Sequence, residues 1–286
     1  MNIDKDLMKN FQKRDENANK GDFGRALLIC GSYSMLGAAI IAGKACILSG
    51  VGICDIAMQK EIYTAVSLSV LEAVCTPLSK DFSKDDKKLL LQKIKKATSI
   101  LIGCGMGKTD YTRKILAFCL EHASVPVIID ADAINVLAED LSLLDLKKSE
   151  VIITPHPAEM GRLIGKNASQ VNCERVLVAT EFSKKYGVIT LLKGHNTVIS
   201  DTQGEYFINK TGNSGMATGG SGDMLSGIIA AFCAGGMAPF ESAKTAAAVH
   251  GLSGDICAKE YSKISTNPSL MLKELPKVFL EIEKNL

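Results

Sequence analysis

Several things are missing from this sequence, and each absence closes off a class of function. Charge of one sign is not in surplus: 33 basic residues face 31 acidic ones, a formal net charge of +2. No global field therefore draws the chain to nucleic acid or to a membrane surface. No apolar run approaches the ~18 residues of a membrane-spanning helix. Residues 1–20 are polar and of mixed charge, without the apolar centre of a secretory leader. A cytoplasmic protein is expected. The nine cysteines are odd in number and no two are spaced as C-x-x-C, which argues against a zinc site or a disulfide framework. Cys30, Cys104, Cys119 and Cys233 sit in apolar runs and read as reduced, buried thiols. The Asn167-Ala168-Ser169 sequon then carries no meaning. Repeats, low-complexity tracts and linkers are absent as well, so residues 1–286 read as one domain.

What is present is an alternation of short apolar runs with longer helical patterns. Arg25 to Cys30, Val51 to Met58, Ser99 to Ile102, Val125 to Ile129, Val151 to Thr154 and Val188 to Leu192 read as strands. Ala38 to Leu48, Tyr111 to Glu121, Ala158 to Ile164 and Cys173 to Tyr186 read as helices between them. Strands alternating with helices imply an α/β fold, a mainly parallel sheet covered on both faces. Near-continuous apolar strands fit burial from both sides. Thr197 to Ser200 and Glu205 to Ile208 look like an antiparallel pair joined at Thr202-Gln203-Gly204. Asp223 to Cys233, Pro239 to Tyr261 and Ser269 to Lys284 follow as helices. Ser79 to Lys96 reads as a loop entering an amphipathic surface helix, its basic run a solvated face.

The strongest chemical signal is Thr211 to Asp223, where five glycines fall within eleven residues, Gly212 to Gly222, ahead of an apolar helix. Glycines let successive N–H groups turn inward as an anion-binding nest. The helix adds unpaired N–H groups and its positive dipole end. A carboxylate at the mouth of such a hole, Asp223, can deprotonate a hydroxyl. A plain Asp cap would need one or two glycines, not five.

Further motifs lie at strand ends, where open α/β sheets bind ligands. Leu192-Lys193-Gly194-His195-Asn196-Thr197 offers a lysine and a hydroxyl to a nucleotide, or is only a turn. Thr154-Pro155-His156-Pro157-Ala158-Glu159 holds a histidine between two prolines, with Glu159 in the first turn of the next helix. Gly31 to Ala39 is a glycine loop entering a small-residue helix, but lacks the dinucleotide spacing G-x-G-x-x-G. Gly103 to Thr109 resembles a phosphate-binding P-loop and fails its spacing by one residue. Asp130-Ala131-Asp132 either orients a ligand or metal, or caps a helix.

In this order, G-S-x-x-M-x-G-A-A, D-A-D-A-I-N, T-P-H-P-x-E, K-G-x-x-T and N-x-T-G-N-x-G-M-A-T-G-G-S-G-D resemble the ADP/ATP-dependent NAD(P)H-hydrate dehydratases of the ribokinase-like superfamily. The likeness runs from about Lys20 to about Asp255. It implies a three-layer α/β/α sandwich and repair of the S form of hydrated NADH or NADPH. ADP is the expected phosphoryl donor rather than ATP, with Mg2+ as cofactor. By motif, Ala39, Gly105, His156 and Asp223 would meet the hydrated dinucleotide. Lys193, Gly194, His195, Asn196, Thr197 and Gly222 would hold the adenine nucleotide. Asp223 would be the base, with Gly220, Ser221 and Gly222 stabilising the transferring phosphoryl. Glu159 would place Mg2+ through water. Two departures stand out. Cys104 replaces the usual proline of G-P-G-x-G, and Asn19-Lys20-Gly21 stands where H-K-G is common. The resemblance also implies a homotetramer, small-molecule partners only, and a separate NAD(P)H-hydrate epimerase, since nothing of domain size precedes Lys20. The alternatives are a kinase of a vitamin-precursor alcohol (hydroxymethylpyrimidine or hydroxyethylthiazole type) and a nucleotide sensor without chemistry.

Overall fold

Neighbouring residues of one strand serve two different cores. Ala26 and Leu28 face one side of the sheet, Leu27 and Ile29 the other, and all four are shielded from solvent. Strands buried on both faces can carry no alternating polar set, which is why RALLI reads as a continuous apolar run. Ile128 against Val127 and Ile129, and Ile152 against Val151 and Ile153, repeat the division. The structure is a computed structural model describing residues 5–11 and 13–286.

The strands are β1 Arg25–Ile29, β2 Ile53–Gln59, β3 Val74–Leu78, β4 Ser99–Ile102, β5 Val127–Ile129, β6 Val151–Ile153, β7 Ile189–Leu192, β8 Thr197–Ser200 and β9 Tyr206–Asn209. The helices are α1 Lys5–Met8, α2 Leu36–Leu48, α3 Tyr63–Ser69, α4 Lys84–Ile94, α5 Asp110–His122, α6 Ala131–Leu137, α7 Pro157–Ile164, α8 Ala168–Cys173, α9 Arg175–Tyr186, α10 Ser221–Ala234, α11 Pro239–Glu260 and α12 Pro268–Glu283. They surround one nine-stranded sheet in the order β3-β2-β1-β4-β5-β6-β7-β8-β9. Pairing is parallel from β3 to β7 and antiparallel for β7–β8 and β8–β9. The expected three-layer α/β/α sandwich is therefore what forms. One layer holds α2, α10, α11 and α12, the other α4 to α9.

The chain leaves β1 for β2 and β3 on one side, then crosses back to β4 on the other. That reversal opens a crevice at the carboxyl ends of β1 and β4. α10 lies close beside it because Gly227 permits contact with α2: a Cβ there would stand 2.3 Å from the Ala42 carbonyl oxygen.

Several expected boundaries shift. β2 begins at Ile53 rather than Val51, and the helix expected over Cys173 to Tyr186 is divided at Glu174, whose φ of −130° and ψ of 37° interrupt it. The segment between β2 and Ser79, unassigned by the sequence, forms α3 and the edge strand β3. The β8–β9 turn forms as expected, with the Asp201 carboxylate accepting from the N–H groups of Gln203 and Glu205. Among the described helices none is long and apolar enough to cross a membrane.

Candidate active site

Five strand ends are laced together, each to the next. The Gly31 N–H donates to the Cys104 carbonyl at 2.8 Å, joining the loop after β1 to that after β4. The Gly107 N–H donates to Asp132 Oδ2 at 2.7 Å, joining β4 to β5. Thr154 Oγ1 donates to Asp130 Oδ1 at 2.7 Å, joining β5 to β6. The Lys193 N–H donates to the Pro155 carbonyl at 2.8 Å, joining β6 to β7. All the motif loops from β1 to β7 thus share one rim of the sheet.

Above this rim stands the N-terminus of α10. Gly220 caps it at φ 89°, ψ −14°, a left-handed conformation suited to glycine. Helix geometry leaves the first-turn N–H groups without partners inside the helix; of these the Ser221 N–H donates to the Thr218 carbonyl at 3.3 Å. Gly219 is exposed, with nothing within 4 Å of a Cβ placed there. The turn is open to an anion. Ser221 Oγ lies 3.3 Å from Nε2 of the buried His250 on α11. Burial pushes the His250 imidazole down to about 4, so it stays neutral near pH 7.

Asp223 lies in that first turn, half-buried. Burial, and then the neighbouring Asp130 charge, push its carboxyl up to about 6, against opposing pulls from Cys104 and Lys193. Such a group is ionised at pH 7 yet takes a proton readily. Lys193 does not extend into solvent. Its ammonium is paired with Asp130 Oδ1 at 2.8 Å and lies 3.9 Å from Glu159 Oε2. Burial alone would lower it, but the charges of Asp130 and Glu159 raise it. Asp130 is held below its ordinary range: burial would raise it, and Lys193, Thr154 and Ser226 outweigh that.

The two-proline loop forms a reciprocal cap on α7. His156 Nδ1 accepts from the N–H groups of Ala158 and Glu159, while the His156 N–H donates to Glu159 Oε2 at 2.8 Å. Nδ1 is thereby an acceptor, which puts the ring proton on Nε2, 3.3 Å from Glu159 Oε1. Burial pushes the Glu159 carboxyl up to about 6. Burial and the nearby Lys193 and Arg162 charges lower the His156 imidazole.

The remaining residues expected at the site divide into two groups. Gly105 abuts the start of α2, where a Cβ would stand 2.7 Å from Ala38 Cβ; this brings the Gly103 to Gly107 loop beside Ala39. Ala39 itself is wholly buried against Gly31 and Gly105 is buried too, so neither offers a ligand the exposed surface expected of it. In the loop after β7, Gly194, His195 and Asn196 are exposed. Arg175 Nη2 holds this loop by the Leu192 carbonyl at 2.7 Å, and Thr197 Oγ1 closes it on the Gly194 carbonyl at 2.9 Å.

Sequence reasoning passed over two residues that shape the site, His250 and Asp255, and left the role of a third, Asp130, open. Asp130, open between orienting a ligand or metal and capping a helix, makes no side-chain cap bond and is the buried partner of Lys193. His250 meets Ser221. Asp255 accepts from the Gly212 N–H and from Asn213 Nδ2, both at 2.9 Å. The spacing of His250, Gly251, Gly254 and Asp255, which share one helix face, is the signal that could have exposed the last two.

A protein-family model described as NAD(P)H-hydrate dehydratase matches residues 26–277. The bifunctional NAD(P)H-hydrate repair enzyme of Moorella thermoacetica is 32% identical over 276 residues, covering 95% of this chain and 52% of its own length. The ADP-dependent (S)-NAD(P)H-hydrate dehydratase of Neisseria meningitidis is 32% identical over 249 residues, covering 86% of this chain and 81% of its own. The chain spans about half the length of the first curated relatives it matches. Among solved structures, the ADP/ATP-dependent NAD(P)H-hydrate dehydratase of Bacillus subtilis, co-crystallised with ATP and Mg2+, superposes with a TM-score of 0.82. The two are 28% identical, over 97% of this chain and 96% of that one.

Proposed function

The chain belongs to the NAD(P)H-hydrate dehydratase family, and on that premise we propose that it is a hydro-lyase that repairs the S forms of hydrated NADH and NADPH. ADP supplies the phosphoryl group, and AMP and phosphate are released. The observation that carries this reading is Asp223: a carboxylate raised to about 6, in the first turn of a helix whose N-terminus is open to phosphate.

The hydroxyl on the hydrated ring gives its proton to Asp223 as its oxygen attacks the terminal phosphorus of ADP. The bond from phosphorus to the bridging oxygen breaks and AMP departs. Charge on the transferring group faces the N–H groups of Gly220, Ser221 and Gly222. Phosphate then leaves the ring carbon with the C–O electron pair, a proton leaves the adjacent carbon, and the ring double bond returns. Of the residues assigned to the dinucleotide, His156 is exposed to meet it, while Gly105 and Ala39 are buried and act from behind through packing. The loop from Lys193 to Thr197 takes the adenine nucleotide through its exposed main chain, while the Lys193 ammonium stays beneath on Asp130.

Mg2+ would lessen the charge on the phosphates when bound. Glu159 fits a water-mediated role there: the residue is 5% exposed and its carboxylate already accepts from the His156 N–H. A cation using it would keep most of its waters. All nine cysteines are unbonded and seven are buried, which supports a reducing, cytoplasmic setting. A homotetramer and a companion epimerase complete the proposal; the bifunctional relatives support the second.

The test is product analysis by 31P NMR with hydrated NADH and ADP. One AMP and one phosphate per NADH restored is the expected result. A stable phosphorylated alcohol instead would make the chain a kinase.

A further inference from the structure

Asp130, at the end of β5, is 1% exposed and both its oxygens are claimed. Oδ1 accepts from Thr154 Oγ1 at 2.7 Å and from Lys193 Nζ at 2.8 Å. Oδ2 accepts from Ser226 Oγ at 2.8 Å and from Cys104 Sγ at 3.5 Å. The donors come from the ends of β4, β6 and β7 and from α10. Ser226 follows Asp223 by three residues, so both lie on one face of α10, a turn apart. Asp130 therefore grips α10 by the face that carries Asp223. Its charge stands close by: Cys104 Sγ and a carboxylate oxygen each of Asp130 and Asp223 all lie within 4.8 Å of one another. Lys193 balances the charge of Asp130 and leaves that of Asp223 uncompensated by this pair.

A knot of hydrogen bonds needs no net charge, and a buried ion pair is costly to desolvate. The Asp130–Lys193 pair sits where that cost has a use, directly beneath the turn that meets phosphate. We propose that Asp130 is a positioning residue of the reaction, fixing Asp223 in place through Ser226 and holding a charge, paired with Lys193, beside the Asp223 carboxylate. This rests on Asp223 as the base.

The groups around Asp223 make the direction of the effect definite. After burial, Asp130 is the largest influence raising the Asp223 carboxyl, and Asp132 on α6 adds to it. Cys104, after β4, and Lys193, after β7, pull the other way. From α11, His250 faces Ser221 and is neutral. Removing the Asp130 charge therefore lowers the Asp223 midpoint.

The test uses protein with 13C-labelled aspartate carboxyls, without substrate, the Asp223 signal being identified by its loss in Asp223→Asn. In the wild-type chain it titrates near 6, and in Asp130→Asn the midpoint falls by about one unit or more. The acid limb of kcat/KM falls with it, which a purely structural role would not produce. Ser226→Ala keeps the midpoint, lowers kcat about tenfold and leaves the KM for ADP unchanged. If Asp130→Asn does not fold, Asp130→Asn with Lys193→Met removes both charges, and the midpoint still falls because Asp130 acts more strongly than Lys193. An unmoved midpoint in a folded Asp130 variant, or wild-type kcat in Ser226→Ala, overturns the proposal. The titration needs no hydrated cofactor. A wild-type chain that fails to restore NADH would refute the function above while leaving this result readable.

Discussion

Lys193 reaches Asp130 through the space that Gly222 leaves open: a Cβ at residue 222 would stand 3.2 Å from the lysine Nζ and 3.9 Å from Asp130 Oδ2. The glycine leaves room for the ammonium below it, and phosphate is its proposed neighbour above. Gly222→Ala asks the lysine end to give by a few tenths of an ångström, and its better helix propensity offsets part of the cost. Gly222→Val fills the space. ADP affinity, measured by titration calorimetry, is expected to fall more than tenfold in the valine variant, about 1.4 kcal/mol or more. Unchanged affinity would remove the nest from the nucleotide site.

Asp223→Asn is expected to abolish turnover, keep ADP binding and gain stability. The folded-state carboxyl sits at about 6 against its ordinary value of 3.8, so folding binds this proton more tightly. The stability Asp223 contributes is whole below the ordinary value, is lost as pH rises through about 6, and stays lost above. At pH 8 the asparagine variant should be more stable in urea unfolding by about 1 to 2 kcal/mol, with the difference shrinking toward pH 4. Retained turnover would contradict the base.

The acid limb of the rate profile should be steep. Asp223 and Glu159 are both raised to about 6, chiefly by burial. If both act ionised, kcat/KM falls below about pH 6 with a slope exceeding that of one proton. Rates measured from pH 4.5 to 9 check this, and a profile flat down to pH 5 would oppose it.

Asp255→Ala frees the loop that leads into α10. The Gly212 N–H and Asn213 Nδ2 both lose a charged acceptor, at a cost of about 1 to 3 kcal/mol. Hydrogen exchange over residues 211–217 should rise while exchange in β4 and β5 does not. Equal protection in both would mean that the clamp does not hold this loop.

The legible parts of this chain are those governed by local pattern. β1, β4, β5 and β6 read as strands because both faces are covered, so each is apolar throughout. β3 did not, since Val74 at the sheet edge is exposed and Pro77 lies within it. Asp223, His156 and Glu159 stood out through glycine density and paired prolines. Asp130 reads only as a strand-end carboxylate, able to orient a ligand or cap a helix, because its partners Thr154, Lys193 and Ser226 lie 24, 63 and 96 residues away. The sheet brings them together, and no spacing in the sequence announces it. Lys193 shows the same limit: its motif marked the loop, but only the fold turns the side chain inward.

Hydrated NADH of the S form is mixed with ADP, Mg2+ and the protein, and the absorbance band of the reduced nicotinamide is followed. Its return with the wild-type chain, with none in Asp223→Asn, is the predicted result. No return of the band with wild-type protein, while a vitamin-type alcohol is phosphorylated instead, would contradict the account.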